Sequence, residues 1–256
     1  MTQPQSGVAA AGSFAAAFAL AAGVEGWLSE EQARRLWDAA RGVPPGGLVV
    51  EIGSFRGRSA IVLASALAAG ARLVAIDPHA GGDRGPQEIA PEAERGEADN
   101  RAFNANLRAA GVDVRVEHVR LTSAEAHGSV AAAIDLLYVD GAHRFAPARD
   151  DIVRWGARVR DGGTMLVHDS FSAIGVTLAM LTSLAFGSQW RYLGRTSSLA
   201  EYRRERLGLA ARVVNAARQL AQLPWFGRNV IVKAAIVTRL RPLARAMGHR
   251  GDHWPY

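Results

Sequence analysis

Two segments of this chain end apolar runs in groups able to hold a cation or move a proton. Ile134-Asp135-Leu136-Leu137-Tyr138-Val139 leads into Asp140-Gly141-Ala142-His143, and Thr164-Met165-Leu166-Val167 leads into His168-Asp169-Ser170. Two carboxylates and up to two imidazoles at neighbouring strand ends, in a chain with no cysteine, suit a hard divalent ion that keeps positions open for substrate oxygens. Mg²⁺ or Mn²⁺ is the natural choice. Any one of these side chains alone is more simply a cap or a loop residue, so it is the set that carries the reading.

A second constellation lies upstream. Val49-Val50-Glu51-Ile52-Gly53-Ser54-Phe55-Arg56-Gly57-Arg58-Ser59 runs from an apolar strand through a glycine turn into a helix. Such a turn lets backbone approach a ligand and sets the free N–H groups of the next helix beside it. Leu73-Val74-Ala75-Ile76-Asp77 places a carboxylate 24 residues after Gly53, the distance at which an acid after the second strand can accept both ribose hydroxyls of an adenosine. The pair reads as a nucleotide site. It is not a dinucleotide fingerprint, because Ser54 and Phe55 follow Gly53, and the only lysine, Lys233, lies far from any Walker position.

These groups need a sheet to align them. Apolar runs near 48–52, 72–77, 113–119, 134–140 and 163–168 alternate with helical patterns near 58–69, 99–110, 122–132 and 146–158. Regular alternation with near-continuous apolar strands predicts an α/β, doubly wound, mostly parallel sheet, with ligands beyond the carboxyl ends of its strands. A helix near 172–186 precedes two runs, Trp190–Arg195 and Ser197–Arg203, short enough to pair as an antiparallel terminal hairpin. Ser29 and Gln32 form a capping-box pattern opening a helix that Gly42 and Pro44-Pro45 close. The Gly/Pro/Glu-rich segment 78–98 lacks an apolar period and predicts a flap. Three regions are expected: an N-terminal helical segment over 1–42, the nucleotide-binding domain over 43–203, and a basic helical appendage over 204–256.

With 49% apolar and 21% charged residues, the chain can bury a sizeable core. No disulfide framework or thiolate metal site is available, which fits a reducing cytoplasm. The formal charge of +6 is uneven: residues 203–256 hold eleven Arg or Lys against Glu205 and Asp252, a net +9, leaving −3 for the rest. Within the tail, Leu207–Leu223 and Val230–Met247 have helical apolar periods, which predicts either packing on protein or peripheral contact with an anionic membrane. The uncharged stretch Val8–Val24 has no preceding Lys or Arg and reads as a packed helix rather than an export signal.

Glu51-x-Gly53-x-x-x-Gly57 resembles the first motif of the class I S-adenosylmethionine-dependent methyltransferases. The resemblance implies a Rossmann-like methyltransferase fold, with Glu51, Gly53, Ser54 and Ser59 around the methionine part of S-adenosyl-L-methionine and Asp77 on its ribose. Over residues 25–200, Val139-Asp140-Gly141-Ala142-His143 and His168-Asp169-Ser170 further resemble the metal-dependent sugar O-methyltransferases and their cephalosporin-hydroxylase-like relatives. Those relatives carry an acidic pair where this chain has His168-Asp169. The resemblance implies Asp140, His168 and Asp169 as metal ligands and His143 as general base. The expected activity is methyl transfer to a sugar hydroxyl of a glycan, glycolipid or glycosylated natural product, by a homo-oligomer with nucleic acid disfavoured as partner. Two other readings compete: a catechol-type O-methyltransferase, for which only Tyr138, Phe145 and Phe171 are candidate rim aromatics, and a non-catalytic membrane- or nucleic-acid-binding module.

Overall fold

The computed structural model of the protein describes residues 12–84, 87–88 and 90–249. Residues 8–11 of the N-terminal stretch, residues 85, 86 and 89 of the 78–98 segment, and the tail from residue 250 lie outside them. Nine helices, α1 (Phe14–Ala22), α2 (Glu30–Arg41), α3 (Arg58–Ala66), α4 (Ala93–Ala109), α5 (Phe145–Asp150), α6 (Ile174–Met180), α7 (Leu209–Leu220), α8 (Leu223–Val237) and α9 (Arg241–Ala246), are described. The described strands are β1 (Leu48–Ile52), β2 (Arg72–Ile76), the two-residue pair β3 (Asp83–Arg84) and β4 (Gln87–Glu88), β5 (Val116–Val119), β6 (Ile134–Val139), β7 (Val159–Val167), β8 (Trp190–Thr196) and β9 (Leu199–Arg204).

The main sheet has the order β5-β2-β1-β6-β7-β9-β8. Its first five strands are parallel; β9 runs antiparallel between β7 and β8. The expected terminal hairpin is therefore present. Strand order reverses at β1, where β2 lies on one side and β6 on the other, and this is where an open α/β sheet opens a crevice at its carboxyl edge.

Side-chain alternation along the strands divides the core in two. Val49, Leu73, Ala75, Leu136 and Leu166 pack with α1, α2, α3 and Phe103; Val50, Ile52, Val74, Leu137, Val139, Met165 and Val167 pack with Ile152, Trp155 and Met180 on the other face. The N-terminal helices thus share the core of the sheet. Ser29 caps α2 through the reciprocal bonds with Gln32, as its sequence predicts, and Leu36 and Trp37 are buried beneath it.

Three expected elements differ. α4 starts at Ala93 rather than near 99 and takes in Gly96, where a Cβ would stand 2.0 Å from the His79 carbonyl oxygen. A helix-depressing glycine is here a packing requirement. The helix expected over 122–132 is a turn followed by a short 3₁₀ segment, Ala126–Ser129, since Thr122 and Glu125 bond each other and satisfy the backbone locally. The helix expected over 146–158 is α5 continued by a π-helical turn, Asp151–Trp155, and a 3₁₀ turn, Gly156–Arg158.

Candidate active site

A cavity of about 480 Å³ opens at the carboxyl ends of β1, β2, β6 and β7. Gly53, Ser54 and Ser59 line it from the glycine turn, Thr122–Ala124 from the turn after β5, Asp140–Arg144 from the loop after β6, and His168 and Asp169 from the end of β7. Glu25–Leu28, between α1 and α2, supplies a further wall.

The glycine turn is shaped by protein as much as by any ligand. Gly53 has φ 84°, and a Cβ there would meet the Asp140 carbonyl oxygen at 2.2 Å, so the loops after β1 and β6 pack backbone to backbone. Gly57, at φ 89°, precedes α3 and faces the Phe103 ring. Asp77, expected on the ribose, is 1% exposed and is not among the residues lining the cavity. Its Oδ2 accepts the N–H groups of Ser54 (2.9 Å) and Phe55 (2.7 Å), and its Oδ1 accepts that of His79 (2.7 Å). The carboxylate fixes the turn, including Phe55 at φ 45°. His79 Nε2 lies 2.7 Å from the Phe55 carbonyl and steadies the same strained residue.

Glu51 is also absent from the cavity wall. It is fully buried; Oε1 accepts from Ser59 Oγ at the start of α3, and Oε2 has no partner among the described residues. Burial pushes its carboxyl up to about 8, against the hydrogen bond from Ser59. Near neutral pH it is a neutral acid bracing β1 against α3.

The polar rim converges as expected. His143 Nε2 lies 2.6 Å from Asp169 Oδ2; His168 Nδ1 lies 3.1 Å from Asp140 Oδ1 and 3.4 Å from Asp169 Oδ2; the Tyr138 hydroxyl donates to Asp140 Oδ2 at 2.7 Å. Burial opposes charge on both histidines, yet the carboxylates outweigh it: His143 is raised above its ordinary value and His168 well above. Burial likewise opposes charge on Asp169, and the two imidazoles reverse this and hold it far below the usual carboxylate range. The cluster is thus internally compensated.

Ligand atoms of Asp140, His143 and Asp169 all lie within 4.8 Å of one another, a donor set that fits a hard divalent cation. His168, expected as a ligand, sits instead 3% exposed with its Nδ1 between the two carboxylates, where it orients them.

Several contributors carry no sequence signal. Trp27 and Phe55 meet at a tilt, ring centroids 5.4 Å apart, on the cavity wall, while the aromatics expected at the rim lie elsewhere: Tyr138 and Phe171 are fully buried and Phe145 is outside the cavity lining. Asp151, at the π-helical turn, lines the cavity 2% exposed, its Oδ1 without a partner among the described residues, and burial raises it to about 6 against a bond from Ser123. Acidic pairs on helices are common, so Asp150-Asp151 did not stand out. His118 packs on Phe103 and His127 on Trp155, both structural.

The tail docks on this site. Asn229 of α8 donates to the Phe171 carbonyl (3.2 Å), and Lys233 Nζ donates to the carbonyl and hydroxyl oxygens of Ser172 (3.0 and 2.9 Å). The loop so held carries Asp169 and Phe171 at φ 55° and 56°.

Residues 50–170 match the family model described as a methyltransferase domain. Solved structures share the architecture. The O-methyltransferase TomG of Streptomyces achromogenes, involved in tomaymycin synthesis and solved with S-adenosylmethionine, is 21% identical over 70% of this chain and 81% of its own, with a TM-score of 0.52. Cofactor-bound Rv0187 from MTB is 20% identical over 75% of this chain and 89% of its own (TM-score 0.52), and the O-methyltransferase NovP is 16% identical over 70% and 81% (TM-score 0.53). At these identities the likeness speaks for the fold. Sheet order, antiparallel β9 and the domain match agree: residues 50–170 belong to the methyltransferase domain family, on the class I methyltransferase fold.

Proposed function

We propose that the protein is an S-adenosylmethionine-dependent O-methyltransferase acting on a hydroxyl of a sugar-containing small molecule or glycolipid. The observation that carries this reading is one cavity bounded on one side by the glycine turn and on another by His143, Asp140 and Asp169. The solved relatives that hold S-adenosylmethionine or another cofactor support the choice of methyl donor.

The sulfonium methyl is already electrophilic, so the chain's task is to bring a poorly acidic hydroxyl in line with it and remove the proton. His143, oriented by Asp169, accepts that proton. Asp151 offers its Oδ1, without a partner among the described residues, to an amino group of the bound nucleoside. Trp27 and Phe55, both lining the cavity, offer an aromatic wall to the acceptor ring. Asp140 and Asp169 would hold a divalent ion, which when bound lowers the acidity barrier of an acceptor hydroxyl.

The same Trp27–Phe55 wall favours a second reading, a planar catechol-type acceptor. Transfer of labelled methyl from S-adenosylmethionine to free sugars, cell-envelope glycolipids and catechols, with and without Mg²⁺, tests both. Labelling of sugars or glycolipids supports the lead reading; labelling of catechols alone replaces it, and no labelling in any arm with cofactor bound overturns O-methyl transfer to these classes.

A further inference from the structure

Of the two placements the sequence allows for its apolar stripe, α7 takes the outward one. In α7 the buried residues are Asn215, Ala216 and Gln219: Asn215 accepts the Tyr192 N–H (2.7 Å) and donates to the Trp190 carbonyl (3.1 Å), and Gln219 accepts the Tyr202 hydroxyl (2.9 Å). The apolar stripe points outward, with Leu209 79%, Val213 71%, Val214 59% and Leu220 39% exposed. α8 buries Val232 and Ala235 alongside Asn229, holds the body through Asn229 and Lys233, and leaves Ile231 and Val237 45% and 69% exposed. An outward apolar stripe on a helix anchored by Asn215 and Gln219 is no leftover of loose packing.

Charge says what covers it. From Arg206 to Gly251 the sequence holds nine Arg or Lys and no acid. Arg206 precedes the α7 stripe, and Arg212 and Arg218 lie on the wheel outside it. Joining two copies through this face would set two such cationic sets against each other. A polyanion such as nucleic acid would meet the arginines and leave Leu209, Val213 and Val214 without apolar partners. A bilayer surface with anionic headgroups satisfies both layers, apolar side chains entering the acyl boundary and arginines staying at the headgroups.

We propose that α7 and α8 form an interfacial surface that seats the protein on an anionic lipid bilayer. No helix among the described residues is long and apolar enough to cross a membrane, so the attachment is peripheral. Because α8 also holds the Phe171–Ser172 backbone, the seated surface lies one helix from the loop that carries Asp169.

Co-sedimentation of the full chain with vesicles of phosphatidylcholine alone, or of phosphatidylcholine with phosphatidylglycerol, tests this independently of catalysis. The wild type is expected to partition onto the anionic vesicles and to be released by salt. Val213→Asp with Val214→Asp, exposed positions whose thermal melting should match wild type, abolishes partitioning. Arg206→Gln with Arg218→Gln weakens it by about 25-fold, taking roughly fivefold for each charge near the surface. Equal partitioning onto both vesicle types, or unchanged binding by the Val213/Val214 variant, overturns the proposal. So does size-exclusion chromatography showing a wild-type dimer that this variant converts to monomer without any vesicle binding, because the face would then belong to a second copy.

Discussion

Lys233 Nζ donates to both the carbonyl and the hydroxyl oxygen of Ser172, three residues after Asp169. A tail helix therefore clamps the loop in which Asp169 and Phe171 hold left-handed backbone conformations, each of which costs about 1–3 kcal/mol and persists only when its surroundings enforce it. Lys233→Met keeps the apolar stem and removes the donors. It should lower stability by about 1.5–3 kcal/mol, the range for hydrogen bonds to charged groups. Turnover should fall more than cofactor affinity does. Denaturant unfolding and steady-state kinetics check this together.

His143 is expected to act in proton removal and not in cofactor binding. His143→Gln should bind S-adenosylmethionine as wild type does and lose about 10²–10⁴ in turnover. Against burial, Asp169 and Asp140 raise the ionisation of His143, so without a cation activity should rise with pH on the alkaline side of the ordinary histidine range. Added divalent cation should move that rise to lower pH. If Mn²⁺ affinity falls in His143→Gln as far as in Asp169→Asn, His143 is a third ligand and not the base; electron paramagnetic resonance titration distinguishes the two.

Asp77 accepts three backbone N–H groups, so Asp77→Ala should unfold the turn as well as weaken cofactor binding. A loss above about 3 kcal/mol is expected for removing a charged acceptor from that many donors. An unchanged melting temperature with lost binding, measured by calorimetry, would show a side chain that only holds ribose.

Glu51 links stability to pH. Its carboxyl is raised from 4.5 to about 8 in the folded chain, so the unfolded chain releases this proton first. Stability should fall as pH rises from about 4.5 to about 8, and Glu51→Gln should flatten the fall across that window. Denaturant midpoints at a series of pH values provide the measurement.

Fold and rim were legible in the sequence for a physical reason: parallel strands buried on both faces write continuous apolar runs, and the polar residues that end them stand out. Asp140, His143, His168 and Asp169 were found that way. Trp27 and Asp151 were not, because each reaches the cavity through tertiary packing that leaves no period. Residues 78–98 read as a flap because the segment is rich in Gly, Pro and Glu and lacks an apolar period, and nothing in that pattern shows that Gly96 packs against the His79 carbonyl. The outward stripe of α7 was visible as a period, but its direction depends on Asn215 and Gln219 finding partners on β8 and β9.

The central claim is that a methyl-donor nucleoside occupies the cavity between the glycine turn and the His143 rim. Hydrogen-exchange mass spectrometry of the full chain with and without S-adenosylhomocysteine tests it most directly. Protection is expected in the peptides covering 53–59, 122–124 and 140–144, with α7 and β8 unchanged. Saturating ligand that protects none of these segments, or protects only surfaces elsewhere, would contradict the account.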